Sequence, residues 1–208
     1  MEYTINIKGH LMDLSTPQVM GILNVTPDSF YSGSRKQTEM EIAQRANQII
    51  EEGGSIIDVG AFSTRPGADE VSEEEEGRRL KFALDIVRRE QPDAAVSVDT
   101  YRPTLARKCI EEWGADIIND VSEGGITGIV NVPLEQRQEE YPEMFRVVGE
   151  LKVPYILMSV QPTLAAMMKG FAREVQLLRD LGAKDIILDP GFCFGKNLIQ
   201  NYQIYNEM

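Results

Sequence analysis

Four short segments of the sequence contain residue types that bind anions or polar heterocycles. They are rich in Asp, Asn, Thr, Gly and Pro, and they span residues 21–30, 58–67, 98–100 and 189–196. Thr64 and Arg65 lie in the second segment, in a turn rich in Gly and Pro. Backbone amides, a hydroxyl and a planar guanidinium can together hold the oxygens of a phosphate or a carboxylate. The alternative is an ordinary turn with an exposed arginine.

Asp99 and Asn119 each follow a short run of apolar, mostly β-branched residues, where a buried strand would end. Carboxylate and amide groups on an apolar floor suit a flat heterocycle that presents amine and ring N–H donors beside acceptors. Asp and Asn are also common in strand-end turns and helix caps, so either position alone is open to that structural interpretation. To Asp58, which ends an earlier run, we assign a structural role.

Charge and rare residues exclude several classes of function. The formal net charge is −12, with 33 acidic against 21 basic residues, which disfavours a nucleic acid or an anionic membrane as partner. His10 is the only histidine, so a histidine base and most zinc mechanisms are disfavoured. Cys109 and Cys193 lack the spacing of a disulfide framework or a zinc site. Because no apolar run approaches the ~18–20 residues of a membrane span and residues 1–10 lack a secretory signal, we expect a cytoplasmic protein.

A repeated pattern predicts the elements that position these residues. A glycine, a short Ile-rich run and a terminal Asp or Asn recur at residues 54–58, 114–119 and 182–189. Glycine after a helix suits the left-handed C′ position, and such runs are typical of strands buried on both faces of a parallel sheet. Three further strands are predicted at residues 19–24, 96–99 and 153–158.

Start signals and apolar stripes predict helices between the strands. Thr38 and Ser72 are each followed three residues later by glutamate, which is the spacing of a capping box. Pro103 suits the first turn of a helix, and the acidic run 73–76 is interpreted as a solvated helix start. An apolar stripe predicts a helix that ends at Gly182, with Met167, Met168, Phe171, Val175, Leu178 and Leu181 as its members.

Alternating strands and helices predict an α/β fold with a parallel sheet and helices outside it. An open doubly wound sheet satisfies the same pattern. The lack of G-x-G-x-x-G after the first strand, and polar residues at the ends of several strands, favour a closed (β/α)8 TIM barrel. We predict one domain over residues 1–208, with a short hairpin at residues 1–15 that closes the barrel floor. Six of the eight β/α units are found and strands 7 and 8 are missing, so the chain is interpreted as a fragment.

The segments resemble, in order, the signatures of dihydropteroate synthases, a family of pterin-binding TIM barrels. The resemblance is carried by residues 24–30, 63–67, 98–100, 118–120 and 189–196. The most specific runs are NVTPDSF and DPGFCFGK. The resemblance implies condensation of 6-hydroxymethyl-7,8-dihydropterin pyrophosphate with p-aminobenzoate in folate biosynthesis, with Mg²⁺ assisting. It also implies a homodimer at full length and a p-aminobenzoate pocket that sulfonamide drugs enter.

The same resemblance implies roles for particular residues in pterin recognition. Asp99, Asn119 and Asp189 would hold the edge of the pterin, and Met158 would pack near its ring. Ionisation of the C–O bond leaves positive charge on the pterin, which the carboxylates stabilise.

The resemblance also implies residues for the other two groups of the reaction. Asn24 would lie near Mg²⁺ and the pyrophosphate, which Thr64 and Arg65 would bind. Mg²⁺ and Arg65 would stabilise the departing pyrophosphate, and an aniline nitrogen needs no histidine base to attack. The residues implied for the p-aminobenzoate pocket and other substrate contacts are Phe30, Pro66, Phe194 and Lys196.

The sequence departs from the family in four places. The family's Ser-Arg-Lys motif after strand seven and its Arg-x-His motif after strand eight have no counterpart, so we expect little or no synthase activity from residues 1–208 alone. A turnover assay against a C-terminally extended form tests this expectation. Residues 126–137 resemble an insertion before the fourth helix, and the usual Met-His-Met run is replaced by Met158-Ser159-Val160.

Two other functions fit the same barrel and acidic pocket. One is the pterin-binding domain of a corrinoid-dependent methyltransferase, and the other is a non-catalytic pterin-binding relative. The segments 24–30 and 63–67 favour the synthase, since a methyl-pterin donor needs no pyrophosphate site.

Overall fold

The computed structural model describes residues 3–25, 35–62, 71–124 and 141–208. Within these ranges the chain forms eight strands and six helices. In chain order they are β1 (Thr4–Ile7), β2 (His10–Asp13), β3 (Met20–Asn24), α1 (Arg35–Glu51), β4 (Ile56–Gly60), α2 (Glu73–Glu90), β5 (Ala95–Asp99), α3 (Pro103–Glu111), β6 (Ile117–Asp120), α4 (Glu143–Leu151), β7 (Tyr155–Met158), α5 (Leu164–Asp180), β8 (Ile186–Asp189) and α6 (Leu198–Glu207).

The strands form two sheets. β1 and β2 pair antiparallel, which confirms the predicted hairpin within residues 3–15. The other six strands form one sheet in the order β3-β4-β5-β6-β7-β8. Parallel pairing joins β3 to β4, β4 to β5, and β7 to β8. Parallel neighbours need a crossover connection, and the helix between them supplies it, so the predicted α/β class is confirmed.

Residue contacts divide the chain into two compact units, Met1–Ile118 and Asn119–Met208. In the first, every residue of β4 is buried. Ile57 and Val59 of β4 and Val96 and Val98 of β5 are all inaccessible to solvent. The one polar residue inside each strand, Asp58 in β4 and Ser97 in β5, is buried as well, as expected when both faces of a parallel sheet are covered.

The second unit is centred on β7, all four residues of which are buried. The ring of Tyr155 meets that of Phe145 of α4 edge to face, with 6.0 Å between centroids. A Cβ on Gly149 of α4 would lie 2.8 Å from the Cβ of Leu181, so glycine is what lets α4 approach the end of α5 this closely. Strand β8 is only half-buried over most of its length.

The glycines of the repeated pattern end helices as predicted, with one shift. Gly114 and Gly182 have φ values of +83° and +95°, the left-handed conformation that glycine tolerates. In the first repeat the left-handed residue is Gly53, with φ +93°, and not Gly54. Helix α4 ends instead on Lys152 in the left-handed region.

The helix signals were correct in part. Ser72 is the N-cap of α2, and its hydroxyl accepts a hydrogen bond from the amide of Glu75. Thr38 is not a cap, because α1 begins at Arg35 and Thr38 lies buried inside it. Pro103 occupies the first turn of α3 as predicted. In the described ranges no helix combines the length and the apolar character that crossing a membrane requires.

The predicted apolar stripe of α5 is buried at three of its six positions, half-buried at Val175 and Leu181, and exposed at Met168. Met167, Phe171 and Leu178 are buried, whereas the side chain of Met168 is 58% exposed. The buried face also contains Glu174, which periodicity did not indicate. Because Met168 is exposed and Glu174 is buried, the apolar face of α5 is narrower than the predicted stripe.

Asp116 joins the hairpin to the amino-terminal end of β6. Its buried carboxylate forms ion pairs with Lys8 of the hairpin turn, at 2.7 Å, and with Arg88 of α2. The same carboxylate accepts a hydrogen bond from the amide of Val96 at 2.8 Å. One buried carboxylate therefore links the hairpin turn to α2 and to β5.

Replacing Asp116 with alanine is expected to lower the free energy of unfolding by about 2 kcal/mol, because the Val96 amide and the Arg88 guanidinium lose their buried acceptor. Lys8→Ala serves as the matched control. The Lys8 side chain is 57% exposed, so its loss should cost below about 1 kcal/mol. Urea denaturation of both variants measures the difference, and equal losses would contradict the assignment.

Candidate active site

In the first unit, three neighbouring strands end at the same level. Asn24, Gly60 and Asp99 are the last residues of β3, β4 and β5, and the sheet register places Gly60 between the other two. A Cβ built on Gly60 would lie 2.8 Å from Oδ1 of Asn24 and 3.4 Å from Oδ2 of Asp99. An amide oxygen and a carboxylate oxygen therefore converge over a glycine that leaves space for them.

In the second unit, Asn119 precedes a tightly held turn. Asn119 is 7% exposed and Asp120, the last residue of β6, is fully buried. The Asp120 carboxylate accepts hydrogen bonds from the amides of Ser122 and Gly124, from the Ser122 hydroxyl and from the Tyr155 hydroxyl, the last at 2.7 Å. Burial raises the pKa of Asp120, and these hydrogen bonds oppose that shift. Asp120 is thus a buried support for the turn that follows Asn119.

Met158 and Asp189 end β7 and β8 and are paired in the sheet register. Met158 is completely buried, and a carboxylate oxygen of Asp189 accepts a hydrogen bond from the amide of Gly191 at 2.8 Å. Gly191 has a φ of +61° and lies against the backbone of Ser159 and the side chain of Met158. The close approach of this glycine lets the segment after β8 pack on the end of β7.

Lys196 fastens the same segment from the other side. Its ammonium donates hydrogen bonds to the carbonyl oxygens of Ser159 at 2.7 Å, Gly191 at 3.0 Å and Phe194 at 3.3 Å. Burial lowers the pKa of Lys196, while the charges of Glu123 and Asp189 raise it. Three carbonyl acceptors match the three donors of an ammonium group, so the structure gives Lys196 a role in holding this segment against the end of β7.

Several residues predicted from the sequence lie outside the described residues. They are Phe30, Thr64, Arg65, Pro66 and the stretch 126–137. Phe194 is described and is 37% exposed. Asp58 lies buried in the middle of β4. Within the described ranges there is no group of three or more His, Cys, Asp or Glu side chains placed to hold a metal ion.

The outer face of the first unit contains a cavity of about 630 Å³ between α2 and α3. Arg78, Phe82, Lys108 and Trp113 are among the residues that line it. Asn24 and Asp99 are not, so this cavity is separate from the strand ends where the polar residues gather.

The family model of pterin-binding enzymes matches residues 20–208 of the chain. The dihydropteroate synthase of Escherichia coli (strain K12) is 36% identical over 212 residues, which cover 95% of this chain and 69% of that relative. The chain belongs to the dihydropteroate synthase family. This membership confirms the predicted transferase class, a dihydropteroate synthase of folate biosynthesis.

Solved structures of dihydropteroate synthases agree with the fold described above. The Xanthomonas albilineans enzyme with 4-aminobenzoic acid has a TM-score of 0.81 at 30% identity, covering 99% of this chain and 72% of that chain. The Yersinia pestis enzyme with a sulfonamide drug has a TM-score of 0.77 at 32% identity, covering 98% and 74%. The predicted pterin-binding β/α barrel is therefore confirmed as the fold type of this dihydropteroate synthase chain.

Sequence reasoning missed the supporting residues of the site. Asp120 and Tyr155 were not singled out, and Glu76 was grouped with its exposed neighbours although it is completely buried. A signal existed for Asp120, since Ser and Gly follow it at the positions where an Asp side chain accepts backbone amides. A signal existed for Glu76 as well, because it lies four residues before Leu80 and seven before Ala83, on the apolar face of α2.

Proposed function

We propose that the chain binds a dihydropterin pyrophosphate and p-aminobenzoate at the carboxyl ends of its strands, as a dihydropteroate synthase. The observation that carries this proposal is the convergence of Asn24 and Asp99 over Gly60. These residues belong to the segments that resemble the family signatures. Ligands of β/α barrels bind at the carboxyl ends of the strands, which is where these side chains lie.

Pterin recognition is assigned to Asp99, Asn119 and Asp189. Each ends a strand or lies one residue before its end. Carboxylate and amide oxygens accept hydrogen bonds from the ring N–H and amine of a pterin, and a charged acceptor makes those bonds stronger. Met158 is assigned to the ring face, supported by its apolar, buried position at the end of β7.

Pyrophosphate is assigned to Thr64 and Arg65, with Asn24 near Mg²⁺. The amide oxygen of Asn24 at the end of β3 fits this ion, because Mg²⁺ prefers oxygen ligands and usually keeps waters and substrate phosphates among them. When bound, Mg²⁺ would neutralise charge on the leaving pyrophosphate. Arg65 would add a bidentate guanidinium contact to the same group.

The p-aminobenzoate pocket is assigned to Phe30, Pro66 and Phe194, with Lys196 holding the segment that presents Phe194. The exposed ring of Phe194 supports this assignment. Because the Xanthomonas albilineans relative carries 4-aminobenzoic acid and the Yersinia pestis relative a sulfonamide drug, we propose that both ligand classes enter this pocket. A cytoplasmic location, a homodimer at full length and one domain over residues 1–208 are further proposals from the resemblance.

Calorimetric titration tests the proposed function. We expect 6-hydroxymethylpterin to bind the chain. Its affinity should rise when pyrophosphate and MgCl₂ are both present, since pyrophosphate and Mg²⁺ together fill the rest of the proposed site. An affinity for pterin that does not depend on pyrophosphate would count against a synthase site. Titration with pyrophosphate and MgCl₂ alone provides the control.

Replacing Gly60 with alanine is expected to separate the two halves of this site. The new Cβ would lie 2.8 Å from Oδ1 of Asn24, so that side chain must move, while the 3.4 Å to Asp99 is tolerable. Calorimetry should show loss of the pyrophosphate and Mg²⁺ enhancement, with the affinity for pterin alone changed less. Because the obstructing group is a side chain, stability should fall by about 1 kcal/mol or less.

Gly170→Ala is the matched control for this substitution. Gly170 lies in α5, where the nearest atom to a new Cβ is 3.7 Å away, so alanine should be accommodated and slightly favour the helix. Equal loss of pterin and pyrophosphate binding in Gly60→Ala would contradict the assignment of Asn24.

A further inference from the structure

A buried polar network begins at Thr100, the residue that follows Asp99. Glu76, in the first turn of α2, is completely buried, and Thr100, the residue after Asp99, is 1% exposed. The Thr100 hydroxyl donates a hydrogen bond to Oε1 of Glu76 at 2.7 Å. The other carboxylate oxygen, Oε2, forms an ion pair with Nε of Arg102 at 3.0 Å. One carboxylate therefore holds two residues of the segment between β5 and α3.

The geometry leaves the Thr100 side chain a single orientation. Its hydroxyl donates to Glu76 and at the same time accepts a hydrogen bond from the amide of Arg102 at 3.2 Å. A hydroxyl that uses its one donor and an acceptor position on fixed partners cannot rotate without breaking a buried hydrogen bond. These bonds hold the backbone at Thr100. They thereby also restrict the orientation of Asp99, the last residue of β5.

Arg102 extends the network to the segment before α2. Its guanidinium donates to the carbonyl oxygen of Val71 at 2.7 Å and contacts the hydroxyl of Tyr101, also at 2.7 Å. The ring of Tyr101 packs edge to face on Phe62, with 5.1 Å between centroids. Thr64 and Arg65 lie in the sequence between Phe62 and Val71. Both described ends of that segment thus contact the pair Tyr101 and Arg102.

Burying Glu76 is unfavourable by itself. Burial raises the pKa of Glu76, while the Thr100 hydrogen bond and the Arg102 charge lower it. Apolar groups of similar size commonly serve as well as a buried ion pair for stability alone. A buried glutamate in contact with Thr100, the residue after Asp99, is better explained by the positions in which it holds Thr100 and Arg102.

We propose that Glu76 is a positioning residue, which holds Asp99 in the orientation that binds the pterin through its contacts with Thr100 and Arg102. Glu76 does not touch the substrate. This role rests on the proposed function, in which Asp99 binds the pterin.

Three variants test the role by calorimetric titration with 6-hydroxymethylpterin. Glu76→Gln keeps the size of the side chain but removes its charge from Arg102, and Thr100→Val keeps the shape of Thr100 but removes its hydroxyl. Both should weaken pterin binding about 10-fold, the effect of losing one buried ion pair or one buried hydrogen bond. Thr100→Ser retains the hydroxyl and should bind within about 2-fold of the parent chain.

Leu84→Ala distinguishes positioning from general loss of stability. Leu84 is fully buried on the same helix and has no polar side-chain group, so its truncation should lower the urea midpoint while the folded chain keeps the parent affinity. The proposal would be overturned if Glu76→Gln and Thr100→Val both bound the pterin with the parent affinity. It would also be overturned if Leu84→Ala weakened pterin binding in the same proportion to its loss of stability as those two variants do. Failure of the parent chain itself to bind the pterin would overturn the proposed function, and the positioning role with it.

Discussion

Replacing Asp99 with asparagine is expected to weaken binding of 6-hydroxymethylpterin by about 10- to 100-fold, which corresponds to one charge-assisted hydrogen bond. The asparagine keeps one acceptor oxygen, but its amide presents donors towards the donors of the pterin. The fold should be retained, because Asp99 ends β5 and is only partly buried. Calorimetric titration measures the affinity, and circular dichroism confirms folding.

Asp85→Asn is the matched control for the change in charge. The Asp85 side chain is 59% exposed on α2, where it pairs with Lys81. Its replacement removes the same charge from the surface and should leave pterin affinity within about 2-fold of the parent. If both variants lose affinity equally, the net charge of the chain and not a contact with Asp99 would explain the effect.

Replacing Gly191 with alanine should lower the free energy of unfolding by about 2–5 kcal/mol, because strain and overlap act together. Gly191 has a φ of +61°, and its Cβ would overlap the carbonyl oxygen of Ser159 and lie 2.9 Å from Cγ of Met158. The obstructing oxygen belongs to the backbone, so the segment after β8 must move. Asp189 accepts a hydrogen bond from the Gly191 amide, so pterin affinity should fall as well.

Gly195→Ala separates the two causes within the same loop. Gly195 has a similar φ of +63°, but the nearest atoms to a new Cβ lie 3.5 Å away on Val160, an ordinary contact. It should therefore lose only the conformational preference, about 1 kcal/mol. Urea denaturation of both variants gives the comparison, and equal losses would show that the overlap with Ser159 is relieved at little cost.

The contacts of Lys196 could be predicted from its sequence motif only in part. The run 189–196 identified the segment correctly, and the resemblance placed Lys196 among substrate contacts. In the structure its ammonium is directed to the carbonyl oxygens of Ser159, Gly191 and Phe194. Two of these acceptors belong to the same loop, but Ser159 is 37 residues away in sequence, and no local pattern could indicate it.

The start of α2 likewise has one contact that the sequence predicted and one that packing decided. Ser72 and its amide partner are three residues apart, so their interaction is local and the sequence predicted it. The predicted reciprocal contact is replaced, because the Glu75 carboxylate pairs with Arg78 and Arg79. The partner that the Glu75 carboxylate takes depends on the side chains that packing brings near it. Helix-capping preferences contain no information about that packing.

The sequence by itself determined the alternation of strands and helices, the polar residues at the strand ends and the family resemblance. These features depend on neighbours within a few residues, where propensity, periodicity and turn chemistry act. Only the tertiary structure decided that Asn24 and Asp99 meet over Gly60, that Glu76 is buried beside Thr100, and that Lys196 binds backbone. Sheet register and helix packing bring together residues distant in sequence, and the burial that results gives an ordinary glutamate, glycine or lysine a role that its local sequence does not reveal.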